Sequence, residues 1–172
     1  MKTARCAVAA VSAVLALTGC ATSAGDAAVV DGVPVSISDV SAAAKVASPL
    51  VGQSANDLTP TIVQAEIQGV IAQKIAAAQK IELSDVARAE VFKSNGVLAD
   101  LAATADGKQL AVRLADTAIV AGKLDPGVFA EQCSTMSVAA NPRYGVWSKE
   151  LCGFESAVGS LSKPAPTPTT KG

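Results

Sequence analysis

The sequence predicts a mainly α-helical domain, a bundle of about five helices closed by a small β element that pairs an N-terminal hairpin with a C-terminal strand. Three observations predict it. Apolar residues recur at steps of three and four through the middle of the chain, as on the buried face of a helix. Short β-branched runs stand at the two ends of that helical stretch, and a lone strand needs a partner. Half of the 172 residues are apolar but only 3% are aromatic, which suits one Ala/Val-rich core.

The first element is "AAVVDGVPVSISDV". Asp31-Gly32 supplies the positive φ angles of a two-residue hairpin turn, and Pro34 fits only where no neighbour needs its missing N–H, so an edge hairpin is expected. Ser38 or Asp39 is then placed to cap a helix through "VSAAAKVAS" that ends before Pro49. Thr59 with Pro60 behind it reads as the cap and first position of the clearest helix. Val63, Ile67, Val70, Ile71 and Ile75 form its apolar stripe, with Gln64, Gln68 and Gln73 on other faces, and it runs to about Lys80. Ser84 caps "DVARAEVFKS", which Asn95-Gly96 ends. Another helix covers "GKQLAVRLADTAIVAG" to Gly122, and Asp125-Pro126 starts a short one, "PGVFAEQC".

The closing passage, "MSVAANPRYGVWSKELCGF" (Met136 to Phe154), holds the only Trp and the only Tyr. Its β-branched and aromatic residues around Asn141-Pro142 read as an extended segment interrupted by a turn. Tyr144 and Trp147 are expected to pack over the strand pair and over a disulfide between Cys133 and Cys152. Arg143 is a candidate to hold a carboxylate across that junction or, alternatively, to meet a ligand.

Residues 1–19 read as a lipoprotein signal peptide. Lys2 and Arg5 form its basic region, "AVAAVSAVLAL" is an apolar run too short to span a bilayer, and "LTGC" closes it. These last four residues match the lipobox, in which the Cys, here Cys20, is acylated and becomes the new N-terminus. The other reading is an ordinary secretory signal in which Cys20 is incidental. Two or three acyl chains anchor stably, at about 0.8 kcal/mol per buried methylene. Residues 20–27 follow as a flexible tether, 28–160 form the domain, and the Pro/Thr-rich residues 161–172 are expected to be disordered. The expected location is the extracytoplasmic face of a membrane, tethered through the lipid on Cys20.

In an exported chain the two remaining cysteines, Cys133 and Cys152, read as a disulfide, since neither a CxxC motif nor a metal-ligand cluster is present. Two free or partner-directed thiols are the alternative. Cleavage removes Lys2 and Arg5, leaving 12 basic and 15 acidic residues and a net charge near −3. An acidic surface without basic runs argues against nucleic acid as a partner. The chain has no His, which removes the commonest general base and zinc ligand. The acids in "AEIQ", "ELSD", "RAEV" and "DLAATAD" are scattered and read mostly as solvated faces or caps. No catalytic residue, metal, cofactor or small-molecule substrate is therefore expected.

Two stretches carry a resemblance. Val30, Asp31, Gly32, Ser36, Ile37, Ser38 and Asp39 are similar to the opening of the SurA N-terminal-like domain, found in SurA and PrsA-type foldases and related to the substrate-binding region of trigger factor. "NPRYGVW" (Asn141, Pro142, Arg143, Tyr144, Gly145, Val146, Trp147) resembles the NPRYG-[ST]-[WY] signature near the end of short actinobacterial envelope lipoproteins that carry this domain. The resemblance spans roughly residues 28 to 153. It implies a helical domain that holds unfolded polypeptide, without the parvulin domain and so without prolyl isomerase activity. Exposed Ile or Val along the Thr59 helix would then form a client groove; the alternative is that they face the domain's own core. A chaperone-like holdase is the function implied, with unfolded envelope proteins as partners. A structural or accessory lipoprotein docking one dedicated envelope partner is the alternative.

Overall fold

A computed structural model describes residues 23–125 and 127–155. The signal peptide, Cys20, Pro126 and the Pro/Thr-rich tail lie outside the described residues. The chain is mainly helical, with six helices and five short strands among the described residues.

Strands β1 (Asp26–Val30) and β2 (Val33–Ser36) form the expected hairpin. Its turn residues Asp31 and Gly32 have φ of 43° and 81°. β1 begins two residues before the expected domain start, and Ser23 fixes the approach by donating from its backbone N and its hydroxyl to Asp26 Oδ2. Strand β3 (Val138–Ala140) lies antiparallel on the other side of β1, giving the order β2-β1-β3 and joining the two ends of the domain. Asp31 N donates to Ser137 O and Asn141 N to Ala27 O, so the odd-numbered residues of β1 bond to β3 and the even-numbered ones to β2. Pro34 stands opposite Val29, where β1 presents no group to it. Its missing N–H is therefore harmless.

Ser36 caps helix α1 (Ile37–Val51), its hydroxyl accepting from Ser38 N. The cap thus precedes the expected Ser38 or Asp39. The helix also continues past the expected stop at Pro49 to Val51, where Gly52 in a left-handed conformation closes the last turn by donating to Ser48 O. Helix α2 (Ala55–Gln79) likewise starts earlier than Thr59. Ser54 caps it, accepting from Asp57 N and donating to the Asp57 carboxylate. Thr59 sits inside the helix and donates to Ala55 O. Burial of Leu58 and Ile62 on the same face carries the helix through Pro60, an instance of packing overriding a breaker.

Helix α3 (Asp85–Ser94) has the expected Ser84 cap. Asn95 ends it as expected but also caps α4 (Gly96–Ala102), a short helix the sequence reading did not separate. Thr104 caps α5 (Ala105–Ala121). α6 (Val128–Thr135) has no side-chain cap; Val128 N bonds instead to the backbone carbonyl of Asp125.

α2 is the centre of the molecule. It packs along α5 and α1, and β1 crosses it. Val63, Ile67, Val70, Ile71 and Ile75 are all at most 2% exposed. The apolar stripe of α2 is therefore core, and the expected client groove does not form from these side chains.

Candidate functional site

The closing passage divides into β3, a 3-10 turn at Pro142–Tyr144, and a hairpin of β4 (Trp147–Ser148) and β5 (Gly153–Phe154). Cys133 and Cys152 are bridged, their Cα atoms 5.8 Å apart. Both sulfurs' residues are buried, at 0% and 4% exposure. The bridge fastens the end of α6 to the start of β5. Two glutamines of α2 hold the same hairpin from below: Gln68 Nε2 donates to Cys152 O at 2.7 Å, and Phe154 N donates to Gln64 Oε1 at 3.0 Å. Both glutamines lie on faces of α2 other than its apolar stripe. Their long-range backbone partners leave no trace in local periodicity.

The signature residues fall into two groups. Asp31 and Gly32 form the hairpin turn, and Asp31 Oδ1 accepts from Ser137 N at 2.8 Å. Asn141 pins the NPRY turn to the sheet. Its N–H bonds to Ala27 O, its amide reaches Asp26 O at 3.4 Å, and its Oδ1 accepts from Arg143 N. Pro142 supplies the fixed φ of the turn's first position. Gly145 has φ of 129°, and a Cβ there would come within 3.2 Å of the Phe154 ring. Only glycine meets both conditions without strain. Trp147 packs edge-on against Phe154, centroids 5.6 Å apart.

Tyr144 goes elsewhere. With Arg143 it forms one wall of a groove of about 340 Å³, open to solvent, whose other walls are Ile37, Val40 and Ser41 of α1 and Asn56, Thr59 and Pro60 of α2. The Arg143 guanidinium lies over the Tyr144 ring, 5.0 Å from its centroid. Among the described residues no carboxylate pairs with it, so the expected ion pair across the junction is replaced by a cation–π contact. α1 and α2 both bring residues of their N-terminal halves to this groove. The six helical residues that line the groove with Arg143 and Tyr144 carry no sequence signal beyond that of ordinary helix residues.

A second concavity, about 110 Å³, is lined by Asp39, Ala42, Ala43, Glu66, Ala105, Asp106, Gln109 and Leu110. Glu66 is 2% exposed, a correction to its reading as a solvated acid. Gln109 Nε2 and Arg113 Nε approach its Oε2 at 3.3 and 3.4 Å. Burial pushes the Glu66 carboxyl above its ordinary value, Gln109 and Arg113 pull it down, and Asp39 adds to the rise. Asp116, fully buried, accepts from Arg88 Nε and Gln73 Nε2, each at 2.7 Å, and Arg113 also bonds Gln73. These groups form one polar seam between α2, α3 and α5.

Among the described residues no group of three or more His, Cys, Asp or Glu side chains is arranged to hold a metal ion, and no helix is long and apolar enough to cross a membrane. No family model, curated protein or solved structure matches the chain.

Proposed function

We propose that the chain is an envelope lipoprotein, anchored through an acylated Cys20, whose helical domain binds polypeptide at the Arg143–Tyr144 groove. The groove is the observation that carries this reading. It is concave, mixes apolar walls with hydroxyl and amide groups, and ends in a cation not paired with a carboxylate among the described residues. Binding sites for chain segments have that make-up, and the site needs no catalytic residue. Anchoring rests on the basic region, apolar run and "LTGC" of the first twenty residues. β1 begins six positions after Cys20, so at about 3.5 Å per residue the start of the sheet lies within ~21 Å of the lipid attachment. Asn141 ties the NPRY turn to that same strand. An anchored domain thus presents its groove close to the membrane surface.

Of the two forms of polypeptide binding, docking of one dedicated envelope partner fits the groove better than a broad holdase. The α2 stripe that a cradle would use is spent on the core. The holdase form keeps one supporting observation: Val146, beside the NPRY turn, and Leu151, in the turn between β4 and β5, are 65% and 66% exposed.

Crosslinking in native membranes tests the reading. The intact chain is expected to trap one predominant protein, and Cys20→Ala to lose both membrane association and that product. Suppression of thermal aggregation of two unrelated proteins at near-stoichiometric ratios would favour the holdase form. Failure of both assays would remove polypeptide binding.

A further inference from the structure

We infer that the Arg143–Tyr144 groove recognises a carboxylate joined to an apolar group, as at the C-terminal residue of a polypeptide. This rests on the polypeptide-binding reading and names its ligand class. Among the described residues Arg143 is the only charged side chain lining the groove. Its backbone is fixed by Asn141 and its guanidinium rests over Tyr144, so the planar donor fork is placed before any ligand arrives. A carboxylate matches such a fork with two parallel hydrogen bonds. Across the groove Thr59 has committed its hydroxyl proton to Ala55 O, leaving its oxygen to accept. A peptide N–H is the complementary donor. Ile37, Val40 and Pro60 add apolar lining to the same groove, suited to one side chain. The first-turn acids Asp39 of α1 and Asp57 of α2 do not line the groove, and Asp57 is engaged by Ser54. Negative charge on the ligand therefore meets no like charge in the lining.

A free carboxylic acid of low mass offers the same chemistry, and the experiment separates the two sources. The full chain in detergent is titrated calorimetrically with the peptide Ala-Ala-Ala-Leu as free acid, with its C-terminal amide, and with N-acetyl-leucine. The free acid is expected to bind about tenfold or more tightly than the amide, the size expected of a charge-assisted hydrogen bond. Arg143→Gln, at an exposed position, should erase that difference without changing the melting temperature, and Tyr144→Phe should keep it. N-acetyl-leucine binding as tightly as the tetrapeptide supports the carboxylate site but assigns it to a small acid, against the polypeptide source. Equal binding of acid and amide overturns the inference and leaves polypeptide binding standing. If neither peptide binds while membrane crosslinking still traps a partner, the inference falls and the docking function survives elsewhere on the surface.

Discussion

At the scale of single residues, Cys133 and Cys152 illustrate what parity and compartment reveal and Glu66 what they hide. The bridge closes a separation of 19 residues, and constraining an unfolded loop of that size is worth about 3 kcal/mol. Reduction, or replacement of both cysteines by serine, is expected to lower the melting temperature by several degrees; an unchanged transition would mean that the glutamine tethers already hold the hairpin. Two cysteines in a chain whose start reads as an export signal could be paired by counting. Nothing comparable marks Glu66, whose neighbours in "AEIQ" look like any helix surface and whose burial is set by α5 and α1 packing across it. Its folded value lies above 4.5 because burial disfavours the charged form. Between the unfolded and folded values the folded chain holds the proton more tightly, so the contribution of Glu66 to stability is full below 4.5 and falls as pH rises through the folded value. In urea unfolding at a series of pH values, wild-type stability minus that of Glu66→Gln should decline on that rise. Loss of the Arg113 partner adds an offset that does not vary with pH, and a flat difference would show that burial does not strain this carboxyl.

At the scale of elements, α2 and α5 meet more closely than side chains of ordinary size allow. A Cβ on Gly69 would stand 2.4 Å from Arg113 Cβ and 2.9 Å from its Cα. The contact is with backbone as well as side chain, so the helices must separate to admit a methyl group. Gly69→Ala gains up to about 1 kcal/mol of helix propensity, but overpacking of this kind costs about 1–3 kcal/mol and also pulls Arg113 from Glu66. A lower urea midpoint is expected; a raised one would show that α5 moves freely over α2. The glycine was legible only as a blemish in a helix, because the reason for it lies 44 positions away. The same division runs through the helix boundaries. Ser84 as a cap and Asn95 as a stop were readable because their bonds reach only three residues. Thr59-Pro60 misled because it imitates a start so well, while Ser54 three residues before Asp57 made the working cap and Leu58 needed burial. α4 was missed because Asn95 both stops one helix and begins another.

At the scale of the whole molecule, the domain is closed by β1 and β3, whose residues are more than a hundred positions apart in sequence. That pairing was legible from composition alone, since two short strands flanking a helical stretch have no other partners; the separate β4–β5 hairpin was not, because two-residue strands carry no period. Closure places the groove: Asn141 is the last residue bonded to β1 and the first of the NPRY turn. The alternation of the ladder makes the pairing measurable. Ala139 N and Asn141 N face β1, whereas Val138 N and Ala140 N point to the free edge of the sheet. Hydrogen exchange should therefore be slow at Ala139, Asn141 and Asp31 and fast at Val138 and Ala140. Because the bridge between Cys133 and Cys152 spans the segment that contains β3, reducing it lengthens the loop that must be ordered to dock that strand. Exchange at Ala139 and Asn141 should then accelerate more than at Ile67 and Ile71 in the core of α2, as expected when one unit opens below the global stability. Equal acceleration at all four positions would mean instead that the sheet closure and the helical core open together, and that the NPRY turn cannot move without unfolding the domain.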